Sequence, residues 1–130
     1  WPVSAMTRWI ADRLGVDTPL HFSAFHPDWK MTGTPSTPAA TLNRARQIAM
    51  ANGLRYVYTG NVHDSEGGSS WCHNCGALLI ERDWYVLGAW NLTAEGACAA
   101  CGTSCPGVFE AKPGTWGAAR KPVRLAPFAA

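Results

Sequence analysis

Every one of the five cysteines lies after residue 71, and four of them fall into two pairs with the same spacing: Cys72-His-Asn-Cys75-Gly76 and, twenty-two residues later, Cys98-Ala-Ala-Cys101-Gly102. Two residues between thiols let the chain turn back so that both sulfurs face one ion. A glycine just beyond each pair permits the positive φ that aims backbone N–H groups at the sulfurs. Two such knuckles complete a tetrahedral four-thiolate site, a donor set shared by zinc and by rubredoxin-like iron. Disulfides are the competing reading, and the odd cysteine count and lack of a secretory profile weigh against them. With Cys72, Cys75, Cys98 and Cys101 as ligands, the coordination shell is closed, so the metal is expected to hold structure together and not to activate water. Cys105 is read as a spare thiol, and His73, inside the first knuckle, as an ordinary loop histidine.

At 130 residues and 14.0 kDa the chain has room for one domain or two very small ones. Charged residues are 15% and the AVILMFWYC set 47%, with seven tryptophans, so the chain has enough apolar material to fold. The net charge of +2 is too small to argue for nucleic acid by itself. Residues 110–130 nevertheless hold Lys112, Arg120, Lys121 and Arg124 against Glu110, which leaves the tail basic and the remainder slightly acidic. No apolar run approaches a membrane span and no signal-peptide pattern opens the chain, which reads as cytoplasmic with no membrane partner. The first residue, Trp1 and not Met, suggests a processed product, a trimmed chain or a piece of something longer.

Upstream of the cysteines the pattern alternates. Ser4 is placed to cap a helix over residues 5–14, with Met6, Trp9, Ile10 and Leu14 at helical spacing and Gly15 just past its end. The aromatic stretch from Leu20 to Phe25, between Pro19 and Pro27, predicts a strand. Thr37-Pro38 predicts the start of a second helix, with Leu42, Ala45, Ile48 and Ala49 on one face and Asn52-Gly53 as its stop. Arg55 to Thr59 predicts a second strand. The roughly 29-residue connection is the size of a βαβ crossover, so parallel pairing is expected. A two-stranded parallel sheet has two open edges, so this half is expected to be an excerpt of a larger α/β sheet or barrel. Self-association, or the missing barrel portion, would cover the edges.

The expected organisation is therefore an α/β segment over residues 1–62, a linker over 63–70 with its Gly-Gly-Ser-Ser composition, a metal ribbon over 71–109 and an irregular basic tail over 110–130. Within the ribbon, Ala77 to Arg82 and Tyr85 to Leu92 predict two short strands around Asp83-Trp84. Trp71, Trp84 and Trp90 are expected to supply the ribbon's apolar core and not a base-stacking surface.

In parallel α/β folds, binding and catalytic groups gather at the carboxyl ends of strands. Those ends carry His26, Asp28 and Lys30 after the first strand and Asn61 and His63 after the second, and both loops emerge on one rim. These five residues form a candidate polar site. His21 lies within the strand and could point into a barrel lumen, while a satisfied core histidine is the ordinary expectation. No G-x-S-x-G elbow, H-E-x-x-H helix or G-x-x-x-x-G-K-S/T loop is present. Asn91-Leu92-Thr93 fits a glycosylation triplet, a pattern that also arises by chance.

Taken together, Pro19-Leu-His-Phe-x-x-Phe-His-Pro-Asp-x-Lys-Met31, Thr37-Pro38, Arg55-Tyr-Val-Tyr-x-Gly-Asn61, Cys72-x2-Cys75-Gly76 and Cys98-x2-Cys101-Gly102-x3-Pro-Gly107 resemble the C-terminal part of the AmmeMemoRadiSam-system radical SAM enzymes, relatives of pyruvate formate-lyase activating enzyme. The resemblance covers nearly the whole chain. It implies that residues 1–62 are the terminal βα units of a partial parallel barrel and that a small zinc-ribbon or rubredoxin-like β module follows. It also implies that the four paired cysteines are metal ligands and that His26, Asp28, Lys30 and Asn61 occupy matching rim positions. The family generates its radical at a [4Fe-4S] cluster held by a C-x3-C-x2-C loop, and this chain has no cysteine before Cys72. Neither such a cluster nor S-adenosylmethionine is therefore expected in this chain alone, nor independent radical SAM chemistry. Two other readings accompany this one: a small repurposed enzyme, such as a metal-assisted hydrolase, working through His26, His63 and Asp28; and a ribbon-and-tail module that contacts nucleic acid or a protein.

Overall fold

The computed structural model describes residues 2–120 and 122. Lys121 and Arg124, half of the basic residues that define the tail, lie outside the described residues. Over these described residues the chain is mixed α/β with two small sheets: α1 (Val3–Leu14), β1 (Leu20–Ser23), α2 (Ala39–Ala51), β2 (Val57–Gly60), α3 (Ser65–Gly68), β3 (Ser70–Trp71), β4 (Leu78–Asp83) and β5 (Val86–Trp90). No helix among the described residues is long and apolar enough to cross a membrane.

β1 and β2 pair in parallel, with Leu20 opposite Val57 and His21 opposite Tyr58. Because side chains alternate along a strand, Leu20 and Phe22 turn toward the helices and pack on a buried cluster of Ala49, Leu54 and Val57, joined by Ile10 and Ala11 of α1. His21 takes the other face. It is exposed and stacks on Tyr58 with ring centroids 4.9 Å apart, which corrects the core-histidine expectation. The alternation along Leu20-His21-Phe22-Ser23 puts His21 opposite the packed face, and the register that sets Tyr58 beside it is not visible in one strand's sequence.

Both expected hydroxyl caps are absent. α1 begins two residues earlier than expected, with Pro2 as its N-cap, and Ser4 lies inside the first turn, where its Oγ accepts from Arg8 and Asn52. At α2 the cap is Pro38, and Thr37 Oγ1 instead accepts from the Phe25 backbone N–H 3.0 Å away, while the Thr37 N–H donates to Phe25 O at 2.9 Å. This hydrogen-bonded clamp ties the loop after β1 to the start of α2, and the strand ends at Ser23, two residues before the expected Phe25.

The segment read as a linker has structure of its own. Asp64 caps the single turn of α3: one carboxylate oxygen accepts from the Gly67 N–H at 3.1 Å and the other from the Thr59 hydroxyl at 2.8 Å. A Cβ on Gly67 would collide with both Thr59 Oγ1 and Asp64, so glycine here serves close packing and not looseness. Arg46 of α2, largely buried, donates to Val57 O at 3.0 Å and to Glu66 at 3.1 Å, pinning this turn to the helix. Tyr58 and Ser70 then join the two sheets through a 2.8 Å hydroxyl contact.

β3, β4 and β5 form an antiparallel sheet in that order, with the turn at Trp84 in the left-handed region (φ 52°). Its core contains Leu79, Ile80 and Leu92 together with Cys72, Cys98 and Cys105, and Trp90 packs against it. Trp71 is half-buried and bonds Glu66 O, but Trp84 is 58% exposed at the hairpin tip, so it is not core. The expected strands therefore form, the first shifted by one residue to Leu78–Asp83 and the second shortened to Val86–Trp90.

Candidate functional site

The two knuckles repeat one hydrogen-bond pattern. Gly76 N–H donates to Cys72 O (2.9 Å) and Gly102 N–H to Cys98 O (2.8 Å). The Cys72 and Cys98 N–H groups donate in turn to Ala77 O (2.8 Å) and Thr103 O (2.9 Å). Both glycines have φ 74°, the left-handed conformation their spacing predicts. The second knuckle is fixed to the sheet through Asn91, whose carbonyl accepts from the Ala99 N–H at 3.0 Å, while its N–H donates to Leu79 O and its side-chain amide to Leu78 O. Asn91 is thus a structural brace between the strands and the knuckle.

Each knuckle presents one inner and one outer thiol. Cys72 and Cys98 are buried, Cys75 and Cys101 exposed, and each inner sulfur lies beside the other knuckle's outer one: 3.7 Å from Cys72 to Cys101 and 3.8 Å from Cys75 to Cys98. All four sulfurs lie within 4.8 Å of one another. Sulfurs bound at ~2.3 Å around a tetrahedral ion are about 3.8 Å apart along each edge, so the donor set and its spacing fit such an ion. The separations are far beyond the ~2.05 Å of a disulfide.

The surroundings favour thiolate at one edge of the site. The Thr103 hydroxyl, the Thr103 backbone N–H and the Asn74 amide lower Cys101 to about 5. Cys75 receives a backbone hydrogen bond at Ala77 that favours its thiolate, yet proton sharing with Cys101 and the neighbouring sulfurs pushes it up to about 12. Four close thiols do not all ionise without a cation among them. Cys105 stays outside this group: it is buried in the ribbon core, and burial, followed by its proximity to Cys72, Cys98 and Cys101, pushes its thiol up. His73 is also outside the sulfur set. Its Nδ1 lies 3.3 Å from the hydroxyl of Tyr56, a phenol pushed up to about 12 by burial.

A second feature lies between the sheets. A cleft of about 680 Å³ is bounded by the His21–Tyr58 face of the parallel sheet on one side and by Arg82, Trp84 and Tyr85 of the β4–β5 hairpin on the other. Of the five predicted rim residues, Asn61 and His63 line it; His26, Asp28 and Lys30 do not. Asn61 adopts φ 58° and donates from its side chain to Ala24 O at 2.9 Å, so it fixes the loop after β2. His63 accepts at Nδ1 from the Trp84 indole at 2.9 Å. Asp28 accepts from the Trp29 N–H, and the Lys30 ammonium lies 4.4 Å from the Trp29 ring, all within the exposed loop after β1. Arg82 and Tyr85 were not singled out from sequence, and Trp84 was read there as ribbon core; their only signal as a cleft wall was an arginine and two aromatics flanking a turn.

No protein-family model matches the chain, and no solved structure matches it. An uncharacterized protein of Methanocaldococcus jannaschii is similar to it, with 52% identity over 94 residues. The matched stretch is 72% of this chain, which spans 28% of the length of that relative.

Proposed function

We propose that this chain is a metal-binding segment whose ribbon carries a structural zinc ion, attached to the terminal βα units of a radical SAM-type partial barrel. The observation that carries the metal reading is the cage of four sulfurs built by two hydrogen-bonded knuckles of identical pattern. Cys72, Cys75, Cys98 and Cys101 would hold the ion; bound there, it supplies a cross-link between the two ends of the ribbon. Iron in the same cage is the alternative, since both metals take four thiolates. A reducing compartment such as the cytoplasm keeps these thiols available for metal.

The barrel reading is supported by the residue resemblance, by the parallel β1–β2 pair and by the two strand edges this sheet leaves open among the described residues. Those edges suit further barrel strands or a second copy of the chain. The absence of any cysteine before Cys72 argues that radical chemistry, if it occurs, uses a cluster held elsewhere. Reconstitution of the chain with iron, sulfide and S-adenosylmethionine tests this: no [4Fe-4S] absorption is expected, and a cluster together with ligand-induced protection would contradict the proposal.

A further inference from the structure

The cleft between the parallel sheet and the hairpin has a composition the metal site does not explain. Its floor is a stacked His21–Tyr58 pair and its far side carries the exposed rings of Trp84 and Tyr85. Arg82 stands between them, its guanidinium 5.7 Å from the Tyr58 ring centroid. One nitrogen of that guanidinium, Nη1, donates to Ser70 Oγ (2.8 Å) and Gly68 O (3.5 Å), which orients the group. Among the described residues, Arg82 has no carboxylate partner, and its other two nitrogens are neither hydrogen-bonded nor sealed from solvent.

Of the two acids in the lining, Asp64 accepts from Thr59 and Gly67, whereas Asp83 is exposed and its carboxylate lies 3.8 Å from His63 Nδ1, beyond hydrogen-bond distance. The Trp84 indole can only donate, so the neutral His63 that accepts from it at Nδ1 carries its proton on Nε2. Donor capacity is thus free in the cleft at Arg82 and at His63 Nε2, set among ring faces.

We propose that this cleft binds a planar aromatic carboxylate, its carboxylate on the oriented Arg82 guanidinium and its ring against the Tyr58, Trp84 and Tyr85 side chains. A guanidinium matches a carboxylate's geometry with two parallel hydrogen bonds, and the flat walls match a flat ligand. A cleft of about 680 Å³ is within the range that holds a small organic molecule. The proposal does not depend on which metal the ribbon holds.

The test uses the full, metal-loaded chain with 2-naphthoate as probe and 2-naphthamide as its neutral isostere. Calorimetry gives the affinity, and 15N-resolved NMR of the Trp84 indole gives the place. Saturable naphthoate binding that shifts Trp84, with the amide weaker by about tenfold or more, is expected. Arg82→Gln is expected to remove that preference and Arg82→Lys to restore part of it, at unchanged metal content. Since Arg82 also braces Ser70, the exposed Tyr85 supplies a second variant: Tyr85→Ala is expected to weaken naphthoate and naphthamide alike. Equal affinity for acid and amide, shifts confined to another surface, or no saturation would each overturn the assignment.

Discussion

Ala49, Leu54 and Val57 form the buried centre of the α/β half, a small apolar cluster closed by α1, α2 and β1. In the ribbon, Leu79, Ile80 and Leu92 share the centre with three cysteines, and two of those, Cys72 and Cys98, belong to the sulfur cage. One half is held by hydrocarbon packed under helices, the other by a short antiparallel sheet whose two knuckle loops bring four sulfurs together beside its small core. A two-sheet chain of this size has little apolar surface to bury in either place, so a bound ion is worth more to the ribbon than any side chain in it. The difference teaches that the two halves should fail under different treatments.

The largest effect should come from the sulfurs. Cys98→Ser, or a strong chelator, removes most of a metal contribution on the order of 10 kcal/mol, and the ribbon should lose its dispersed NMR signals while those of Ala49 and Leu54 persist. Simultaneous loss of both sets would break the comparison. Next, Leu54→Ala should cost about 2–5 kcal/mol in denaturant unfolding of the α/β half and leave metal content unchanged, because Leu54 is almost fully buried within the apolar cluster. Arg46→Ala comes third, at roughly 1.5–3 kcal/mol. It strips the partner from Val57 O and frees the α3 turn, which hydrogen exchange at Gly67 and Gly68 should report. Smallest is Tyr58→Phe, about 1 kcal/mol, which deletes the contact with Ser70 between the sheets. It sharpens the comparison if the two unfolding transitions then separate further.

Much of the ribbon was legible in the sequence because its determinants are local. Cysteine spacing and the glycine after each pair dictate the knuckle, and the knuckles form as that spacing requires, with Gly76 and Gly102 at positive φ. The alternation of helix and strand was legible for the same reason, and the parallel pairing was legible from the length of the connection between the two strands. What was not legible depends on distant partners. Ser4 and Thr37 have the chemistry of caps, but Asn52 and Phe25 engage them first. Gly67 looks like linker composition and is in fact the residue that lets Asp64 reach Thr59. The rim residues share a loop position, yet only Asn61 and His63 meet the cleft, because the opposing wall comes from a hairpin more than twenty residues downstream in sequence.

The central claim is that the four paired cysteines hold one structural ion. Elemental analysis of the purified chain for zinc and iron, read beside its visible spectrum, tests it most directly. One zinc per chain with no colour is the predicted result, whereas a chain that takes up no metal, or takes it up undiminished in the Cys98→Ser variant, would contradict the account.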